Sequence, residues 1–112
     1  MKLNEYQEIS KRTLPKYDGC YRPDALANYA LGLAGESGEC VDHIKKYVYH
    51  GHELSVEELE NELGDVLHYV AGIATMIGLE LEDIAAGNID KLLKRFPNGF
   101  TAEDSINRID TK

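Results

Sequence analysis

The chain has 112 residues, a net charge of −8 and 43% hydrophobic residues, which fits one small folded domain over residues 1–112. The acidic balance argues against a duplex nucleic acid as partner, because neutralising phosphates requires a basic surface. No run of roughly 18 apolar residues occurs, so neither a membrane-spanning helix nor a membrane partner is expected. A domain of this size buries somewhat more than about 60% of its unfolded surface, so oligomerisation is expected to supplement its core.

The sequence predicts helices joined by short loops. The first covers residues 4–13 with Asn4 as a candidate N-cap, and a loop follows from Pro15 to Pro23. The second covers residues 24–49 and ends at the turn around Gly51. Helical spacing gives this second helix an apolar stripe that consists of Ala27, Ala30, Leu31, Ala34, Val41, Ile44 and Val48.

A third helix is predicted to begin at the capping-box pair Ser55 and Glu58 and to end at Ile77, before Gly78. A fourth covers residues 81–96, and the polar tail from residue 98 has room for at most one further helical turn, around residues 103–108. No segment alternates with a period of two. The fold class is therefore predicted to be all-α: a bundle of about four helices, with two long antiparallel helices between a short N-terminal helix and a basic fourth helix.

The third helix is apolar over more than a narrow seam, through Leu63, Val66, Leu67, Val70, Ile73, Ala74 and Ile77. So wide a face in a small domain needs cover on two sides. The sequence therefore predicts a homo-oligomer, a dimer at least and a tetramer as the larger alternative. The two cysteines, Cys20 and Cys40, show no metal or disulfide spacing, and residues 1–5 lack the apolar stretch of a signal peptide. These features predict a cytoplasmic protein.

Two pairs of acidic residues, Glu36 with Glu39 and Glu62 with Asp65, have one-turn spacing on the two long helices. If these helices pack antiparallel, all four carboxylates can converge. Like charges about 4 Å apart repel by roughly 4 kcal/mol at an effective dielectric of 20, so the cluster needs a counter-charge. Mg²⁺ is the natural one, since it prefers oxygen ligands and leaves positions for water or phosphate.

A solvated acidic surface is the alternative, and two observations weigh against it. Glu62 lies beside apolar positions of its own helix, where a lone carboxylate would be costly. Four glycines, Gly32, Gly35, Gly38 and Gly64, interleave with the acids, although a glycine inside a helix costs about 1 kcal/mol relative to alanine. Close helix approach or room for a ligand would explain them. Glu39, however, projects away from the apolar stripe, so the residues alone leave both interpretations open.

The fourth helix carries Asn88, Lys91 and Arg95 on one face, where they could hold phosphate oxygens. A basic helix terminus that answers the macrodipole is the plainer explanation of this set. His43 and His68 follow acidic residues at helical spacing, but only Asp65 with His68 fits the Glu-x-x-His pattern of a di-iron bundle, which favours the oxygen-only magnesium site. Base-stacking candidates are Tyr6, Tyr17 and Tyr69, although a place in the core or at an interface is the better explanation of each.

Three segments together resemble the MazG-like all-α nucleoside triphosphate pyrophosphohydrolases: residues 32–39 (GLAGESGE), residues 62–67 (ELGDVL) and residues 88–97 (NIDKLLKRFP). The lysine pair Lys45 and Lys46 extends the likeness, which covers about residues 28–100 of a domain whose core is about residues 24–100. The chain departs from the family pattern at His68, often an aromatic such as Trp, and at Gly35, often a further Glu. Both departures concern substrate choice rather than reaction type.

The resemblance implies an enzyme that hydrolyses nucleoside triphosphates between the α and β phosphates with Mg²⁺, or with Mn²⁺ in its place. It implies metal ligands at Glu36, Glu39, Glu62 and Asp65, which would also be the catalytic residues. It implies phosphate contacts at Lys45, Asn88, Lys91 and Arg95. A non-enzymatic helical interaction module and a di-iron bundle remain the alternatives of a different class.

Overall fold

The structure, a computed structural model, describes residues 1–15 and 23–111. Five α-helices follow one another: α1 (Leu3–Ser10), α2 (Pro23–Tyr49), α3 (Val56–Met76), α4 (Leu81–Arg95) and α5 (Ala102–Asn107). A 3₁₀ turn, Lys11–Thr13, extends α1, and a second, Ile109–Thr111, forms what we call the C-terminal turn. The described residues contain no β-strand. The predicted all-α fold is therefore confirmed, whereas most of the predicted loop from Pro15 to Pro23, including Tyr17 and Cys20, lies outside the described residues.

The helix boundaries follow local sequence signals closely. Ser55 is the N-cap of α3, and its hydroxyl accepts a hydrogen bond from the backbone N–H of Glu58 at 3.3 Å. Gly51 and Gly78 take positive φ angles of 72° and 80° after α2 and α3, a conformation that glycine adopts at no steric cost. The tail is more ordered than predicted, because Thr101 caps α5 and the C-terminal turn follows it.

One predicted cap is wrong. Lys2, not Asn4, precedes the first turn of α1. The side chain of Asn4 instead caps a different helix, since its Oδ1 accepts a hydrogen bond from the backbone N–H of Glu82 at 3.1 Å. In the same way, the Oε1 atom of Gln7 accepts a hydrogen bond from the backbone N–H of Leu81 at 2.8 Å. Two polar side chains of α1 thus satisfy N–H groups that α4 leaves free at its start, which fixes α4 against α1.

An antiparallel hairpin of α2 and α3 is the centre of the fold. Two glycines allow it to close. A Cβ atom at Gly32 would overlap the ring of Tyr69, and a Cβ at Gly72 would overlap the ring of Tyr29. Each tyrosine therefore packs directly on the backbone of the opposite helix. The expected close approach is found at Gly32, whereas Gly35, Gly38 and Gly64 have no neighbouring atom within 4 Å and leave open space.

The apolar stripe predicted on α2 faces outward from this hairpin. Leu31 is 74% exposed and Val41 is 63% exposed, while the inner face is built around Ala25, Tyr29 and Glu36. The core is correspondingly small: the buried hydrophobic residues are Leu14, Ala25, Tyr29, Ala71, Ala74 and Leu81. None of the described helices combines the length and the apolar character needed to cross a membrane.

Candidate metal centre

Three carboxylates from the two hairpin helices meet at the middle of the α2–α3 contact. Glu36 on α2 and Glu62 and Asp65 on α3 each offer a carboxylate oxygen, and these atoms lie within 4.8 Å of one another. The three-residue spacing of Glu62 and Asp65 turns both acids toward α2. Glu36 and Glu62 are half-buried and Asp65 is exposed, so the acid cluster, as we call these three residues, opens to solvent on the side of Asp65.

Glu36 supplies the clearest sign that the acid cluster fits a bound cation. Its Oε2 atom is buried and accepts no hydrogen bond from the described residues. A buried carboxylate oxygen without a donor is unfavourable, because it has lost its hydration without compensation. Either a proton shared between the acids or a cation bound among them would supply what this oxygen lacks.

The crowding of carboxylates also affects the protonation of Glu62. The hydrogen bond that a protonated Glu62 makes with Glu36 is the largest contribution, followed by that with Glu39, by burial and by the charges of both neighbours. Together they raise the pKa of Glu62 to about 7. The metal-free acid cluster thus tends to retain a proton near neutral pH. A divalent cation would replace that proton, and the donor set, composed of carboxylate oxygens, fits a hard cation such as Mg²⁺.

Glu39, the fourth predicted ligand, is placed differently. It is exposed and does not belong to the group of oxygens within mutual reach, although it is close enough to raise the pKa of Glu62. In this arrangement the structure brings together three of the four predicted ligands and leaves Glu39 at the solvent edge.

Cys40 and His43 of α2 line the acid cluster, although neither was predicted to have a role at this site. The ring nitrogens of His43 lie 3.8 Å from a carboxylate oxygen of Glu58 and 3.7 Å from one of Glu62. Burial, followed by the charge of Glu62, raises the pKa of the Cys40 thiol. Cys40 lies one turn and His43 two turns beyond Glu36, so all three residues share the inner face of α2. This helical spacing is the signal by which the sequence could have placed both residues at the site.

The predicted phosphate contacts do not gather at the acid cluster within one chain. Lys45 forms an ion pair with Asp42 at 3.2 Å and is about 14 Å of helical rise away from Glu36. Asn88 and Lys91 are exposed on α4. Among the described residues of α4, only Leu81, at its start, packs with the buried residues of α3. The remainder of α4 makes few contacts with the described part of the hairpin.

Arg95 has a partner that no local pattern predicted. Its Nε and Nη2 atoms donate to the two carboxylate oxygens of Asp110, both at 2.8 Å. The side chain of Asp110 is 1% exposed, and the Arg95 guanidinium holds the pKa of that carboxyl well below its usual range. Arg95 therefore fastens the C-terminal turn to the end of α4 in the free chain.

The histidines and tyrosines do not support the di-iron alternative. No histidine belongs to the group of potential ligands in residues 1–15 and 23–111. His68 instead packs between the rings of Tyr29 and Tyr69, and its Nε2 lies 3.3 Å from the hydroxyl of Thr13. Tyr6 packs against the small core, so it and Tyr69 both have packing roles.

The chain is similar in sequence to a known protein family and to a phage protein. Residues 25–100 match the sequence model of the MazG nucleotide pyrophosphohydrolase domain. The chain belongs to the MazG family. It is also 30% identical, over 96% of its own length and 100% of the relative, to the gene 37 protein of Mycobacterium phage L5. No solved structure matches significantly. The acid cluster thus lies within the matched region, on the two helices that carry the family-like motifs.

Proposed function

We propose that this protein hydrolyses nucleoside triphosphates to the monophosphate and pyrophosphate with Mg²⁺, and that Mn²⁺ can substitute. Its substrates would be deoxynucleoside or non-canonical nucleoside triphosphates, and its role in the cytoplasm the cleansing of the nucleotide pool. The observation that carries the proposal is the meeting of Glu36, Glu62 and Asp65, with a buried oxygen of Glu36 left without a donor, in a chain of the MazG family.

The carboxylates would act by binding and positioning. Glu36 and Glu62, held at the hairpin contact, and Asp65, at its open edge, would form the cation site, with Glu39 completing it from solvent. Bound Mg²⁺ would neutralise phosphate charge and polarise an attacking water. A carboxylate that is not fully engaged with the cation would accept the proton of that water. No covalent intermediate on the protein is required, since hydrolysis of this kind depends mainly on positioning and charge neutralisation.

Lys45, Asn88, Lys91 and Arg95 are the proposed contacts to the substrate phosphates, by their match to the family motifs. Lys91 is exposed and has no ion-pair partner within 4.0 Å among the described residues, so it is available to a phosphate. Lys45 and Arg95 would first have to release Asp42 and Asp110. We therefore expect Lys91 to contribute the most of the three cationic residues.

The active form is proposed to be a homodimer or a homotetramer. The chain exposes 8195 Å², whereas a compact monomer of this mass exposes about 6200 Å². Its radius of gyration is 17.1 Å compared with about 13 Å for a compact domain of this length. The excess surface of about 2000 Å² per chain is in the range that obligate dimers bury. Light scattering at micromolar concentration tests this, and a mass near the 12.5 kDa of one chain would refute it.

The activity is tested with a panel of canonical and modified (deoxy)nucleoside triphosphates incubated with Mg²⁺. We expect equal amounts of pyrophosphate and monophosphate, resolved by chromatography. Accumulating diphosphate with orthophosphate would contradict the proposed bond cleavage, and activity undiminished in EDTA would contradict the cation requirement.

Matched variants separate the acid cluster from the remaining acidic surface. Glu36→Gln, Glu62→Gln and Asp65→Asn should each lower kcat by orders of magnitude while leaving the helical fold intact. Glu60→Gln, on an exposed position of the same helix α3, is the control. Glu39→Gln reports separately whether this exposed acid joins the site when substrate is present. A non-enzymatic interaction module would show no turnover in any of these proteins.

A further inference from the structure

Two guanidinium groups converge on a single buried carboxylate at the C-terminal end of α4. Arg95 donates from Nε and Nη2 to the two oxygens of Asp110, both at 2.8 Å, and Nε of Arg108 lies 3.4 Å from Oδ1 of the same carboxylate. The Asp110 side chain is 1% exposed. Two guanidinium charges thus face one carboxylate charge. The pair therefore suits an anion that has more charge and more acceptor oxygens than a carboxylate, such as a phosphate.

A third cation extends this pair along α4. Lys91 lies one helical turn before Arg95, so the two side chains share a face of the helix. Lys91 is exposed and has no ion-pair partner within 4.0 Å among the described residues. Cζ of Arg95 lies 5.7 Å from the centre of the Phe96 ring, a contact that does not depend on Asp110. The cationic row, as we call Lys91, Arg95 and Arg108, thus fits a chain of phosphates better than a single carboxylate.

The C-terminal turn, which carries Asp110, can leave α4 without disturbing the core. The turn contributes no residue to the buried hydrophobic core of the described chain. Thr111 bonds locally, since its N–H and its hydroxyl both donate to the carbonyl of Arg108 at 3.0 and 2.8 Å. Arg108, at the entrance to the turn, has a φ of 49°, a left-handed conformation that is unfavourable for a residue with a Cβ. The ion pair of Asp110 therefore keeps the turn in place.

We propose that the C-terminal turn is an internal competitor of the nucleotide: Asp110 occupies, between Arg95 and Arg108, a site for the substrate phosphates, and a bound oligophosphate displaces it. This inference rests on the proposed function, because it takes the phosphates to be those of a nucleoside triphosphate. It adds Arg108 as a phosphate contact and Asp110 as an autoinhibitory residue. A closed turn lowers the apparent affinity for the ligand in proportion to the fraction of chains that are open. The turn should therefore affect KM rather than the chemical step.

Binding of inorganic tripolyphosphate in EDTA tests the site separately from hydrolysis. Asp110→Asn removes the competing charge and keeps the size of the side chain. If about nine chains in ten are closed, this variant should bind tripolyphosphate about tenfold more tightly than the wild type in calorimetry. Adding Arg108→Gln to Asp110→Asn should abolish the gain. Glu103→Gln, which removes one exposed negative charge from α5, is the control and should bind like the wild type.

Hydrogen exchange of the wild-type protein reports the displacement without any substitution. The backbone N–H of Thr111 is hydrogen-bonded in the closed turn. Tripolyphosphate should therefore speed the exchange of residues 109–111, whereas sodium chloride at equal ionic strength should not. Exchange that stays unchanged, or that slows, at saturating tripolyphosphate would overturn the proposal, because the ligand would then bind without opening the turn.

The kinetics of hydrolysis separate competition from a purely structural pin. Asp110→Asn should lower KM for the triphosphate and leave kcat unchanged, whereas loss of a pin would leave KM unchanged or raise it. Equal affinity of the wild type and Asp110→Asn for tripolyphosphate would overturn the competition and leave the proposed hydrolysis intact. A wild-type protein that behaves as expected toward tripolyphosphate but hydrolyses no triphosphate would contradict the proposed function and not the competition.

Discussion

Cation binding should release a proton from the acid cluster, in an amount set by the pKa of Glu62. With that pKa at about 7, we expect about 0.9 proton released per site at pH 6, about 0.5 at pH 7 and about 0.1 at pH 8. The reason is that a cation can occupy the cluster only after the shared proton has left. Calorimetric titration with Mn²⁺ in buffers of different ionisation enthalpy measures this number directly.

Substitution of Glu62 provides the comparison. Glu62→Gln cannot ionise, so proton release should disappear along with most of the cation affinity, whereas Glu60→Gln should behave like the wild type. Proton release that is the same at pH 6 and pH 8, or that persists in Glu62→Gln, would refute the reasoning.

The same group determines how the metal-free protein responds to pH. The pKa of Glu62 is raised on folding above its usual 4.5, so folding favours the protonated form. Its contribution to the free energy of unfolding is therefore greatest below about pH 4.5 and decreases as the pH rises through about 7. Without metal, Glu62→Gln should equal or exceed the wild type in melting temperature at pH 8, an outcome opposite to that of an ordinary stabilising ion pair. A clear loss of stability in Glu62→Gln at pH 8 would contradict this prediction.

Three further predictions concern ligand binding and packing. Mg²⁺ with a non-hydrolysable substrate analogue at about 100 times Kd should stabilise the native state by about 2.7 kcal/mol, and thermal scans unchanged by both would count against an assembled site. Asp110→Asn should lower the melting temperature and speed tryptic removal of the C-terminal segment, because Arg95 loses its charged partner; Glu103→Gln is the control, and equal digestion of both would contradict the pairing. Gly32→Ala should destabilise by about 1–3 kcal/mol in chemical denaturation because its methyl group meets a tyrosine ring, whereas Gly35→Ala should not, and equal effects would argue against the close helix contact.

Local signals in the sequence were sufficient for the helices. The capping residue Ser55 and the turn glycines Gly51 and Gly78 act through their own backbone, so their effect does not depend on the remainder of the fold. Glu62 could likewise be recognised as a partly buried acid, because its apolar neighbours lie on the same helix. Features of this kind depend only on residues that are close in the sequence, so they can be predicted from one amino-acid sequence.

Features that join distant parts of the chain were not predictable in this way. Asn4 is of a residue type that often caps its own helix. Its side chain instead caps α4, by accepting a hydrogen bond from Glu82, which lies 78 positions further along in the sequence. Asp110 looks like part of a polar tail, yet it is buried against Arg95. Both outcomes depend on tertiary placement, which helical periodicity does not encode. Their partners became identifiable only once the positions of α1, α4 and the C-terminal turn were known.

The two faces of α2 relate the candidate metal centre to the proposed oligomer. Its inner face is occupied by Glu36, Cys40 and His43, so the apolar stripe lies on the outer face, where one chain leaves it uncovered. An acidic hairpin contact contributes little to folding, since the carboxylates repel each other without a cation. In the proposed oligomer, covering the outer stripe would add stabilisation that this contact does not supply, and folding would then be coupled to association. The melting temperature should therefore rise with protein concentration, and a value that stays constant over a hundredfold range would show that one chain is stable without its partner.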